Sequence, residues 1–220
     1  ADINTINADS ATGIVTATAT ETAAATLIGL TTTGTDAITV TMAAASTAAA
    51  DLNTIDGKTS VAVGATAITE LTGNATDVKT ALASSGITTV TNGSLAVNVN
   101  SGTASVADIN TINADSATGI VTATIDAATA AALNAALSDA QVNAYNLTIN
   151  GSNAISTDIT SLDNKTSGSI TLSGTSMTIT VASGETLNLS GITNSLSGNL
   201  TIEDSTGNEN IVGTSANDTL

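Results

Sequence analysis

One phrase occurs twice, letter for letter: residues 1–18 read ADINTINADSATGIVTAT, and residues 107–124 read the same. Looser versions open at Asp51 (DLNTIDGKTSVAV) and Asp158 (DITSLDNKTSGSI). Copies beginning at Asp2, Asp51, Asp108 and Asp158 set a period of about fifty residues, which points to stacked units that complete one another's cores. The expected architecture is mainly β: a right-handed parallel β-solenoid of roughly 50-residue repeats with short interspersed helices. The units run over residues 1–47, 48–105 and 106–156, an all-β segment follows at 157–206, and residues 207–220 begin a different repeat.

The side chains suit a narrow interior. The chain has no Phe, Trp, His, Cys or Pro, and Tyr145 is its one aromatic residue. Without large rings, buried area has to come from Ala, Val, Ile and Leu in thin layers. Disorder is the alternative for an acidic, low-complexity chain. Positive mean hydropathy and regular apolar spacing argue against it.

Local patterning predicts short strands, led by Ile14–Thr18, Val61/Val63, 170–172, 177–181, 187–189 and 200–202, where β-branched residues alternate with polar ones. Helices are expected at 78–84, capped from Thr76-Asp77, at 126–139, capped by Asp126, and more weakly at 43–50. Past Leu147 no helix is expected. Run-to-run spacing of about ten residues there leaves a β-sandwich module in the C-terminal third as the alternative.

Nineteen acidic residues stand against Lys58, Lys79 and Lys165, a net charge of −16. That balance disfavours nucleic acid and anionic membranes as partners. No run approaches the roughly 20 apolar residues of a membrane span. Seven residues after each opening Asp stand Asp9, Lys58, Asp115 and Lys165, so units stacked in register would form an alternating acid–base column. Without His, Cys or Arg, no triad built on His or Cys and no arginine clamp on phosphate can form, and Glu203-Asp204 reads as a solvated turn pair; no enzyme is expected.

The last stretch, GNENIVGTSANDTL from Gly207 to Leu220, resembles the entry into the nonapeptide calcium repeats of hemolysin-type (RTX) secreted proteins. The resemblance implies a calcium site in which Asp218 is the ligand Asp, with Asn217 and Glu209 beside it and Leu220 pointing inward. Glu209 and Ala216 stand where Asp and Gly are usual. Residues 1–156, through DLNTIDGKTS and AITELTGNATDVKTALASSGIT, resemble repeats of giant type I-secreted surface proteins of cyanobacteria and other Gram-negative bacteria. That resemblance implies an extracellular or cell-surface protein, calcium-assisted folding, and adhesive, surface-layer or filament roles. Its partners would be further copies of itself, with cell-surface polysaccharide a second candidate. The non-catalytic repeat region of an RTX-type toxin or enzyme is a competing class.

Thr-x-Thr pairs (Thr16/Thr18/Thr20, Thr39/Thr41, Thr122/Thr124, Thr178/Thr180) put hydroxyls on one strand face. Stacked, they resemble the surface of ice-binding solenoids; a wet outer face of good strand formers is the favoured account of them. As the sequence stands, the expectation is an extracellular scaffold, with ions as ligands rather than substrates.

Overall fold

The structure is a computed structural model and describes residues 2–10, 12–89, 95–115, 119–138, 141–204 and 210–213. Two compact units make up the chain, residues 1–102 with 111–121, and residues 103–110 with 122–220.

The first unit runs α1 (Asp2–Asp9), β1 (Thr16–Thr18), α2 (Ala24–Leu27), β2 (Ala37–Thr39), β3 (Ser46–Ala48), α3 (Ala49–Asp56), β4 (Val63–Gly64), β5 (Glu70–Gly73), α4 (Ala75–Ala83) and β6 (Ile87–Thr88). Next come β7 (Ala96–Ala104) and α5 (Val106–Asp115), through which the division between units passes. In this unit β1 pairs β2, β5 pairs both β3 and β7, and β4 pairs β6, all parallel.

The second unit continues with β8 (Val121–Ile125), α6 (Ala130–Ala136), β9 (Ala144–Ile149), β10 (Asn153–Ile155), α7 (Ser156–Lys165), β11 (Ile170–Gly174) and β12 (Met177–Val181). It closes with β13 (Thr186–Asn188), β14 (Ile192–Leu196), β15 (Leu200–Asp204) and β16 (Asn210–Val212). Its strands lie in the orders β8-β9-β11-β14, β10-β12-β15 and β13-β16, again all parallel.

The expected mainly β, right-handed β-solenoid of fifty-residue units is overturned, and so is its β-sandwich alternative. The protein is mixed α/β, 29% helix and 35% strand, with seven helices among the described residues. A sandwich would need antiparallel neighbours, whereas every described strand pair is parallel. The pairing offset also differs from the expected period: it runs from 21 residues (Thr16 against Ala37) to 26 (Glu70 against Ala96). The fifty-residue spacing of the copies therefore covers two successive strand offsets. The phrase was repeated at every second one.

The opening of each copy is a helix. Ile3/Ile6, Leu52/Ile55, Ile109/Ile112 and Ile159/Leu162 stand three apart, which places each pair on one helix face. Leu52, Ile55, Ile112 and Leu162 are wholly buried, and Ile159 is nearly so. Hence α7 lies inside the stretch expected to be all β. Other boundaries moved for capping reasons. Asn74 rather than Thr76-Asp77 caps α4, its side chain accepting from the Asp77 N–H at 2.9 Å. Thr129 rather than Asp126 caps α6, accepting from the Ala132 N–H at 3.2 Å. The expected helix at 43–50 is instead β3 followed by the first residues of α3.

In the first unit the core is a thin file of Leu27, Ile38, Leu52, Ile55, Val63, Leu71 and Val78. In the second it is Leu133, Leu147, Ile149, Leu162, Leu172, Ile179 and Leu187, together with Tyr145. Burying each such aliphatic chain contributes roughly 1.5–3 kcal/mol. Gly168 passes so close to Tyr145 that an added Cβ would collide with the tyrosine's backbone carbonyl.

Candidate functional site

The polar machinery of this chain lies between successive repeats. The tripeptide Lys-Thr-Ser occurs twice, at 58–60 and 165–167, and both threonines are buried. Thr59 Oγ1 donates to the carbonyl of Ile38 at 2.7 Å and accepts from the N–H of Ile38 and of Val61, each at 3.0 Å. Thr166 Oγ1 donates to the carbonyl of Tyr145 at 2.7 Å and accepts from the N–H of Tyr145 at 2.8 Å and of Gly168 at 2.9 Å. The following serine adds a second tie. Ser60 N–H donates to the Asp36 carbonyl at 2.7 Å, and Ser167 N–H to the Asn143 carbonyl at 2.7 Å. One hydroxyl thus satisfies both backbone groups of a residue 21 positions earlier, where a strand ladder would otherwise do so.

A second set of ties joins helices. Asn4 Nδ2 donates to the Gly29 carbonyl at 2.8 Å while its Oδ1 accepts from the Thr31 N–H at 2.9 Å. Asn110, its counterpart in the repeated phrase, donates to the Ala136 carbonyl at 2.7 Å and accepts from the Ser138 N–H at 3.3 Å. Asn53 reaches the Asp77 carbonyl at 3.0 Å, and Asn134 reaches the Asp158 carboxylate at 2.8 Å. Each link satisfies a group at or near the next helix.

Asp36 is buried against three segments. Its Oδ1 accepts from the Val15 N–H at 2.8 Å, and its Oδ2 from the Thr33 N–H at 2.8 Å. These backbone donors, Val15 first, hold its carboxyl below the usual aspartate range against the opposing effect of burial.

The alternating acid–base column does not form between neighbouring repeats. Asp9 and Lys58 are 49 residues apart, two strand offsets, so another helix intervenes. Lys165 instead donates to the carbonyls of Asn134 at 2.8 Å and Leu137 at 2.7 Å, capping the C-terminal end of α6.

Glu209, Asn217 and Asp218, the residues read as calcium ligands, lie outside the described residues. Among the described residues no group of three or more His, Cys, Asp or Glu is placed to hold a metal ion. Glu203 is exposed on β15. A shallow cavity of about 150 Å³ beside α1 is lined by Ile3, Asn4, Glu21, Leu27, Gly29 and Leu30. Its one carboxylate, Glu21, is held below the usual glutamate range, first by its own backbone N–H, and the Thr20 hydroxyl contributes.

Threonines do align across strands. Thr18 registers with Thr39, Thr178 with Thr201, and Thr148, Thr171 and Thr193 form one row across β9, β11 and β14. In that row Thr148 and Thr171 are half-buried and Thr193 is exposed.

Thr59, Thr166 and the helix asparagines were not singled out by sequence reasoning. Recurrence of Lys-Thr-Ser in the two looser copies was the available signal. No described helix is long and apolar enough to cross a membrane. Comparisons with protein-family models, with curated proteins and with solved structures find no match.

Proposed function

We propose that this chain is a non-catalytic structural repeat protein of the exported or cell-surface kind, contributing scaffold to a stalk, surface layer or filament. The observation that carries the reading is the duplicated threonine staple: its side-chain chemistry is used up in joining one repeat to the next. The asparagine links are used the same way. A binding or catalytic protein would instead direct convergent polar groups into a cleft. Further copies of the chain are its principal partner, with surface polysaccharide a candidate ligand.

Calcium belongs to this reading through the resemblance at Glu209, Asn217 and Asp218. The three would supply the oxygen donors that a hard cation takes. Immunogold labelling and fractionation of producing cells test the placement. Label on the cell surface or in the medium is expected; label confined to the cell interior overturns it. Calorimetric titration with calcium, compared with Asp218→Ala, tests the ion.

A second reading rests on the Thr148–Thr171–Thr193 row, which presents hydroxyl and methyl groups at the regular strand spacing of about 4.8 Å. An ice-recrystallisation assay separates it from the first: inhibition abolished by Thr171→Lys supports ice binding, and no inhibition ends that reading.

A further inference from the structure

An asparagine side-chain amide can react with the backbone nitrogen of the next residue. Glycine in that next place favours the reaction, because it has no Cβ to obstruct the approach and rotates freely. Asn-Gly occurs at 92–93 and at 150–151. The first lies outside the described residues. The second forms the corner between β9 and β10, within the second unit. Gly151 is exposed there, with φ at 110°, and Asn150 is half-buried.

The helix asparagines are held: Asn4, Asn53, Asn110 and Asn134 each donate through Nδ2 to a later segment. Asn150 is different. Its backbone N–H donates to the Ala128 carbonyl at 2.9 Å, but no described residue bonds its side-chain amide or the Gly151 N–H. Both reacting groups are therefore untied. The corner also has no need of the amide. One place beyond the Ile149–Leu172 pair, the neighbouring strand β11 ends in Ser173-Gly174, with Gly174 at φ 133°. Serine serves that corner, so an amide before the glycine is not what makes the turn.

We propose that Asn150-Gly151 is a site of spontaneous self-modification, at which the native chain converts Asn150 to aspartate and isoaspartate. The Gly151 nitrogen attacks Asn150 Cγ, and the new C–N bond closes a cyclic imide. The bond from Cγ to Nδ2 breaks, and ammonia leaves with the proton given up by the Gly151 nitrogen. Water then opens the imide. Opening at the side-chain carbonyl gives aspartate, with the backbone path unchanged. Opening at the main-chain carbonyl gives isoaspartate, with a methylene added to the backbone. Either product adds a negative charge. Only isoaspartate alters register: Ile149 is buried before the corner and Ala154 after it, and β10 pairs β12 through Asn153 and Thr178. A longer backbone between those two anchors displaces one of them.

Peptide mapping by mass spectrometry, on the intact 220-residue chain aged in mildly alkaline buffer, tests the proposal. The peptide holding Asn150 should gain the mass difference between an NH2 and an OH group and split into aspartyl and isoaspartyl forms. Peptides holding Asn4, Asn53, Asn110 and Asn134 should keep their mass. The peptide holding Asn92-Gly93 is scored apart. A chain aged in denaturant sets the exposure time. If Asn150 survives in the folded chain for as long as it takes to convert in the denatured one, the proposal fails. It fails equally if the tied asparagines convert as fast as Asn150. Asn150→Ser copies the corner at Ser173-Gly174 and should fold normally and age without change at this site. Asn150→Asp supplies the aspartyl product directly. The isoaspartyl fraction should unfold at lower denaturant than either variant; an equal midpoint would overturn the change of register.

Discussion

Thr166 Oγ1 lies 2.7 Å from the carbonyl oxygen of Tyr145 and 2.8 Å from its amide nitrogen, so a single hydroxyl closes both backbone groups of the chain's one aromatic residue. Thr59 stands in the same relation to Ile38. Removing either hydroxyl while keeping its volume strands buried donors and acceptors, each worth about 1–3 kcal/mol. Thr166→Val should therefore destabilise by at least about 2 kcal/mol in denaturant titration, and Thr59→Val similarly. Serine at either position should retain most of the stability. The two losses should add, because the staples share no partner.

Gly168→Ala probes the same junction by sterics. The added methyl would meet backbone at Tyr145, which cannot swing aside as a flexible side chain could. A loss of about 2 kcal/mol or more is expected. Gly191→Ala is the control, with nothing within 4 Å of its would-be Cβ. Thermal unfolding of the two variants side by side checks the contrast.

Asp36 makes stability depend on pH in a definite direction. Its folded-state pKa is lowered, first by the Val15 N–H and then by Thr33. The carboxylate's contribution is thus fully present above the unfolded value of about 3.9 and is lost as pH falls through the lower folded value. Asp36→Asn should flatten the acid limb of the stability–pH curve, and the difference from wild type should vanish at the acid end. An unchanged acid limb would show that other carboxylates govern it.

The helices that share DINTINAD, α1 and α5, give a paired prediction. Ile112→Ala removes a fully buried side chain from α5 and should cost about 2–5 kcal/mol. Ile6→Ala alters the same position in α1, where more than half of the side chain is exposed, and should stay within about 0.5 kcal/mol in the monomer at low concentration. Chemical denaturation of both variants decides the matter, and equal losses would refute unequal burial.

Strands were the more legible part of this sequence. Runs such as 177–181 alternate Met-Thr-Ile-Thr-Val and form β12 with the apolar residues buried. Helices of eight to ten residues carrying two or three large apolar side chains give a weak signal. Lys165 was read as a partner for an acid, because charge is visible in sequence while the carbonyls at the end of α6 are not. The staple threonines look like any other threonine in so Thr-rich a chain. Only their placement beneath Ile38 and Tyr145 distinguishes them.

By itself, the sequence determined that this is a repetitive chain with a thin aliphatic interior and no His or Cys for catalysis, because composition limits what side chains can do wherever they sit. The tertiary structure decided that strands pair 21–26 residues apart rather than fifty. It also decided that helices alternate with strands, and that two identical octapeptides meet different surroundings. Identical residues have identical propensities. Burial depends on which neighbours the rest of the chain brings to them, and that is a property of the whole fold.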